Sequence, residues 1–304
     1  MTSQAASSNP SFNCYCLTVA YDGTQFGGWQ RQPQVRTVQC ELETALGTYL
    51  QEPVYVIGSG RTDAGVHALA QRVSFYTSRY IPPRGLCAGL RSYLPDDLTV
   101  LQAELMPLGF HARYDTRRKH YRYVIHCAPH PWPWLRNYVW WQRRPLDRQA
   151  MQQAAEYLLG THDFRAFASQ AHQYKNTVRT IDAATWSETT QWLPWCSEHG
   201  WQGERRDPAS LLKPSECFLI FNISGDGFLY NMVRAIVGTL VQIGRQRWPP
   251  EYILQLLTRG ERPQAGDNAP PQGLYLVSAD LQLDPDILSR RWQRWQQRLM
   301  RSSG

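Results

Sequence analysis

No run of apolar residues in this chain is long enough to cross a bilayer as a helix. The first twelve residues are polar and rich in Ser and Ala, without the charged and apolar regions of a secretory leader. We therefore expect no membrane association, a disordered N-terminus over residues 1–12 and a cytoplasmic location. Cysteine is sparse and unpatterned: seven residues, an odd number, lie scattered at Cys14, Cys16, Cys40, Cys87, Cys127, Cys196 and Cys217 with no Cys-x-x-Cys. That spacing indicates neither a disulfide framework nor a zinc site, so reduced thiols are expected. Neither Cys nor His shows metal-ligand spacing, and no metal or cofactor is expected. Acidic residues are the minority: 25 Asp and Glu face 32 Lys and Arg, a formal net charge of +7 carried mostly by arginine. Arginine offers a planar fork to phosphates and a face that stacks on bases, and 12% aromatic content adds further stacking surface, so a polyanionic partner fits. Taken one at a time, most of the twelve tryptophans are expected to pack in cores.

With 304 residues, 42% of them apolar, the chain can bury a full core and form one large or two modest domains. Residues 14–21 alternate as a strand, and 37–50 carry Val38, Leu42, Ala45, Leu46 and Tyr49 at helical spacing. Strand character returns at 54–57 and 71–76, helix at 84–94 and strand at 98–105, giving β-α-β-β-α-β. A second pass repeats the order: strand at 120–127, a helix capped by Asp147, strands at 178–186 and 217–224, helix at 228–243 and strand at 273–279. Extra helices are expected at 250–257 and in a C-terminal tail, 285–304. The simplest architecture is α+β, two tandem split-βαβ (ferredoxin-like, RRM-like) halves, 13–110 and 111–284, flanking a central active-site cleft. The stretch 187–216 has neither period and reads as an insertion loop, with Arg205, Arg206 and its tryptophans available to RNA or to one another.

The chain is organised around Ile57-Gly58-Ser59-Gly60-Arg61-Thr62-Asp63-Ala64-Gly65-Val66-His67. Three glycines let the backbone turn and approach a ligand, and they frame one carboxylate and one guanidinium. A phosphate-cradling loop is a poor fit, because the centre is an aspartate and no Gly-Lys-Ser/Thr follows. Taken alone, Asp63 reads as a turn-former or helix cap, Arg61 as a local ion-pair partner and His67 as a structural histidine.

Residues 58–68 resemble the signature loop of the tRNA pseudouridine synthase A family, Gly-Ala-Gly-Arg-Thr-Asp-x-Gly-Val-His-Ala, with Ser59 in place of the small Ala. Further family-like segments follow in order. They are Tyr21-Asp22-Gly23-Thr24, Phe110-His111-Ala112-Arg113-Tyr114, Tyr121-Arg122-Tyr123, Gly227-Phe228-Leu229-Tyr230-Asn231-Met232-Val233-Arg234 and Ala269-Pro270-Pro271. The resemblance spans most of residues 14–280 and implies an isomerase that converts uridine to pseudouridine in the tRNA anticodon stem-loop, at tRNA positions 38–40. It also implies two halves flanking a cleft and a homodimer that grips tRNA across both subunits.

Isomerising uridine breaks the N1-glycosidic bond, turns the uracil and joins C5 to the ribose, without redox change or hydrolysis. It needs an oxygen nucleophile or base, a flat surface to hold the free uracil, and a dry pocket outside the RNA helix. By resemblance Asp63 is that oxygen, as nucleophile at C1′ or base at C2′. Tyr121 stacks on the target base, and Arg61 helps to extrude it and fill its place. Thr62 and His67, which flank this centre in the signature loop, and Arg113 and Arg122, in basic runs that track RNA backbone, are expected to bind the substrate. Alternation in the strand puts Tyr121, Tyr123 and Ile125 on one face, opposite His120, Arg122 and Val124, so a core role for the tyrosines is the competing reading. Arg234 is the only charged residue of a helix that is apolar nearly all round, and the residues three and four away offer no anion. It either snorkels to water or finds an anion elsewhere in the fold, and by resemblance it lies beside the catalytic aspartate. The rival to an enzyme is a non-catalytic RNA-binding protein with two RRM-like modules. A carboxylate at the centre of its site would repel phosphate, and these strands lack the RRM aromatic signature.

Overall fold

A computed structural model of the chain describes residues 12–169, 171–190 and 216–302, without the side chains of 259 and 298–302. Almost all of the expected N-terminal disorder, 1–12, and most of the insertion, 187–216, lie outside the described residues. The protein is mixed α and β, with mostly antiparallel strand pairing and six α-helices among the described residues.

The described residues fall into two compact units. The first draws on Met1–Thr62, Ala68–Arg117 and Ala279–Gly304, the second on Asp63–His67 and Arg118–Ser278.

The first unit contains β1 (Asn13–Tyr21), α1 (Val38–Leu50), β2 (Ile57–Gly58), β3 (His67–Thr77, from Ala68 on), α2 (Pro83–Leu90) and β4 (Leu98–Met106). Its strands lie in the order β4-β1-β3, with β2 pairing β3. Thr37 caps α1, its side chain accepting a hydrogen bond from the Cys40 amide. Strand character expected at 54–57 shrinks to Ile57–Gly58, because the Val56 amide bonds the Glu43 carboxylate at 3.0 Å instead of a neighbouring strand. The helix expected over 84–94 ends at Leu90, with Tyr93 and Leu94 held in a turn on the Leu90 carbonyl ahead of Pro95. Tyr15 and Leu17 on one face of β1 and Cys14 and Cys16 on the other are all fully buried, so that strand is covered on both sides. The even-numbered face is closed by the terminal helix, whose Leu288 packs with Cys14, Cys16, Phe110 and Ala112.

The second unit contains β5 (Thr116–Cys127, from Arg118 on), β6 (Trp140–Gln142), α3 (Arg148–Glu156), β7 (Gly160–Asp163), β8 (Val178–Thr189), β9 (Cys217–Gly225), α4 (Met232–Gly244), α5 (Tyr252–Arg259) and the first part of β10 (Leu274–Leu281). The strand order is β10-β5-β9-β8-β7, with the short β6 parallel to β5. Asp147 caps α3 through the Ala150 amide, as its sequence position indicates. Strands β6 and β7 were not expected, being too short for a period to show. Strand β8 runs on to Thr189, three residues into the expected insertion. The helix expected over 228–243 starts only at Met232, because Asn231 adopts a left-handed conformation, φ 62° and ψ 4°, that no helix interior allows. Of the thirteen residues in α4 only Arg234 and Gln242 are not buried. The chain closes with α6 (Pro285–Ser302), which belongs to the first unit.

Candidate active site

The glycine loop is fixed on both sides of its aspartate. On the N-terminal side, within the first unit, Ser59 is buried, its amide bonding the Arg72 carbonyl at 2.7 Å and its hydroxyl the Gln71 amide oxygen at 2.5 Å. Gln71 returns a bond to the Gly60 carbonyl at 2.7 Å. Thr62 is buried as well, with its carbonyl accepting from the Trp29 amide at 3.0 Å and its hydroxyl 2.8 Å from the Tyr21 phenol. Arg61, between these anchors, is exposed.

From Asp63 to His67 the chain belongs to the second unit. The Val66 amide bonds the Asp63 carbonyl at 3.2 Å, closing a turn, and Gly65 takes φ +77° with Pro271 where a side chain would sit. His67 is buried and stacked on Tyr275 at 4.8 Å, with Nε2 on the Asn137 carbonyl at 2.9 Å. The structure thus places it as a packed ring under the loop.

Arg234 and Asp63 meet within this unit. The guanidinium Nη1 lies 3.3 Å from Asp63 Oδ2, and the two side chains are only 16% and 18% exposed. Arg234 is held by two further bonds: Nε donates to the Ala269 carbonyl at 2.7 Å and Nη1 to Asn231 Oδ1 at 3.1 Å. Burial pushes the Asp63 carboxyl above the usual carboxylate range, and Arg234 opposes that with both its charge and its hydrogen bond. Loss of water is the larger influence.

Strand β5 brings two phenols into the same unit. Tyr121 is 7% exposed and meets Phe228 edge-on at 5.1 Å, while the fully buried Tyr123 donates its hydroxyl to the Pro270 carbonyl at 2.7 Å. The two tyrosines lie two residues apart on one strand face. Arg122 lies between them, on the other face, and bonds its cross-strand partner Asn222 at 2.9 Å. It is not gathered with Asp63. Arg113 lies on an exposed turn of the first unit.

Sequence reading passed over Asn231, Ser169 and the Ala269 carbonyl. A buried guanidinium calls for an anion, and neutral oxygens from an amide side chain and from a distant loop leave no charge pattern in the sequence. Phe228 and Pro271 stood in family-like segments but had no assigned contact.

An ionisable oxygen largely withdrawn from water and paired with one guanidinium can act as a nucleophile or as a base. Comparison with known sequences identifies the class to which this chain belongs. Residues 17–115 and 154–281 match the family model described as tRNA pseudouridine synthase, and the chain belongs to that family. Among its relatives, tRNA pseudouridine synthase A of Thermoanaerobacter sp. (strain X514) is 40% identical over 261 residues, covering 86% of this chain and 96% of its own. The protein of the same name from Halalkalibacterium halodurans is 43% identical over 260 residues, with 85% and 89% coverage. That from Exiguobacterium sp. (strain ATCC BAA-1283 / AT1b) is 41% identical over 260 residues, with 86% and 94% coverage.

Proposed function

We propose that this protein isomerises uridine to pseudouridine in tRNA, at positions 38–40 of the anticodon stem-loop, with Asp63 as the group that acts on the ribose. Its family membership makes it an isomerase. The observation that carries the role of Asp63 is its placement: the only carboxylate of the signature loop is largely buried against Arg234.

Within this reading the Asp63 carboxylate attacks C1′ of a flipped-out uridine, or takes a proton from C2′, and the uracil leaves from N1. Tyr121 gives the detached ring a flat neighbour while C5 bonds to C1′, displacing Asp63 or, in the alternative, with return of the C2′ proton; the hydrogen originally on C5 is lost as a proton and N1 gains one. Arg234 keeps the carboxylate ionised. Arg61, exposed two residues before Asp63, takes the place of the extruded base. Thr62 and His67 fix the two ends of the catalytic turn, and Arg113 and Arg122 contribute positive charge along the RNA backbone.

We also propose that the chain is built as two split-βαβ halves. The orders β4-β1-β3-β2 and β10-β5-β9-β8 support it, since each reads 4-1-3-2 when its four main strands are numbered in turn. Residues 13–110 and 111–284 are the halves, with 187–216 inserted in the second. We further propose that it acts on tRNA in the cytoplasm as a homodimer; no described helix is long and apolar enough to cross a membrane.

The test is tRNA tritiated at uridine C5. Forming the C5–C1′ bond must expel that hydrogen, so tritium should appear in water with turnover. No release from any tRNA would end the proposal. Deuterium at C2′ separates the two roles of Asp63: a primary isotope effect marks the base, its absence the nucleophile.

A further inference from the structure

Asn231 stands out because its conformation and its bonds point to the same task. It is one of four described non-glycine residues with φ near +60° and the one that touches the Asp63–Arg234 pair through a hydrogen bond. An L-residue there carries strain, which asparagine bears better than most. As the residue preceding α4 it could cap the helix with its side chain, the usual use of asparagine at that position, yet it makes no such bond. Its amide is committed elsewhere. Oδ1 accepts from Arg234 Nη1 at 3.1 Å, and Nδ2 donates to Ser169 Oγ at 3.0 Å.

The network fixes which way the amide points. A guanidinium only donates, so the atom facing Arg234 is the oxygen and the nitrogen must face Ser169. Ser169 is held in turn, its amide bonding the Tyr230 carbonyl at 3.1 Å and its hydroxyl oxygen lying 3.4 Å from Asn268 Nδ2. Arg234 Nη1 therefore sits between two oxygens, one neutral and oriented by Ser169, the other the Asp63 carboxylate. Ala269 holds the Nε side of the same plane.

We infer that Asn231 is a positioning residue: with Ser169 behind it, it aims Arg234 Nη1 at Asp63 Oδ2 and so keeps Asp63 ionised in its dry site. The charged group that acts on Asp63 is Arg234, from α4, and the Tyr123 phenol lies within reach of the same guanidinium from β5. The consequence for catalysis rests on the function proposed above; the effect on the carboxyl does not.

Asn231→Gly separates positioning from folding, because glycine accepts the left-handed conformation without strain while the amide is lost. The Asp63 carboxyl is titrated by carbon NMR in the full chain, and kcat and KM are followed against pH by tritium release. The carboxyl titration and the acid limb of kcat should both move up by about half to one pH unit, roughly the net worth of one ordinary hydrogen bond, because the aim of Arg234 is lost and not its charge. KM for tRNA should hold, and so should the thermal midpoint at low pH, where Asp63 is protonated in either protein. Ser169→Ala, which leaves the amide free to turn, should shift both the same way by less. An unchanged Asp63 titration in Asn231→Gly overturns the inference, as does a fall in thermal midpoint and kcat together with the acid limb unmoved. If the titration shifts as expected while the unaltered protein releases no tritium, the positioning stands and the proposed reaction falls.

Discussion

Asp63 is subject to two opposed influences of unequal size, and the larger is the loss of water. Its folded-state carboxyl binds a proton more tightly than in the unfolded chain. Between the ordinary carboxylate range and that raised value, stability from this group therefore falls as pH rises, whereas activity rises as the oxygen ionises. Without the guanidinium the burial effect is unopposed. Arg234→Ala should move the acid limb of kcat/KM to higher pH and lower the plateau, with Arg234→Lys intermediate because a point charge replaces a fork that bonds three oxygens. A pH–rate profile reads both. Asp63→Asn should cut turnover by at least about 10⁴-fold with tRNA affinity nearly intact, since shape stays and the reactive oxyanion goes; a tenth of the original activity would reduce Asp63 to a turn residue. For Tyr121, Phe keeps the ring edge-on to Phe228 and loses only the hydroxyl, while Ala loses both. Single-turnover rates should fall further for Ala than for Phe, and equal mild losses would assign Tyr121 to the core.

Two helices show what packing does at the scale of an element. Helix α4 is buried almost throughout, so it is rigid, and its first turn delivers Arg234 from a fixed base; the left-handed residue before it decides where that turn begins. Helix α6 acts on the first unit. Leu288 closes the Cys14–Cys16 face of β1, and Arg291 bonds both oxygens of the buried Asp115 at 2.8 and 3.0 Å. Gly109 takes φ +93° and lies so close to the Leu288 carbonyl that no Cβ fits between them. Leu288→Ala should therefore lower unfolding free energy by about 2–4 kcal/mol, read from urea denaturation, because the cavity is walled by β1 and cannot collapse readily. A loss below about 0.5 kcal/mol, usual for surface sites, would show that α6 is an appendage.

Across the whole molecule, the balance of charge and the distribution of ligating side chains carry the expectations. A net charge of +7 suits a polyanionic substrate, and no group of three or more His, Cys, Asp or Glu among the described residues is placed to hold a metal ion. Turnover should therefore persist in excess chelator when the tRNA is kept folded by monovalent salt. A transition metal bound in stoichiometric amount and needed to restore a chelator-treated enzyme would contradict this.

The sequence by itself determined the order of the main elements, since α1, α3 and the longer strands are set by local period and by the Thr37 and Asp147 caps, which act within a few residues. It also held the signature loop, whose glycines and aspartate are adjacent in the chain, and the isolation of a single cation in an apolar helix. Period could not show β6 and β7, which are too short, or the true start of α4, where one left-handed residue overrides helical spacing. Tertiary structure alone decided what Arg234 meets. Asp63 is 171 residues away and Ala269 is 35, and no periodic signal spans such distances. The amide of Asn231, by contrast, was only three residues off. It went unread because a neutral oxygen becomes the partner of a guanidinium only when the fold excludes the water that would otherwise take its place.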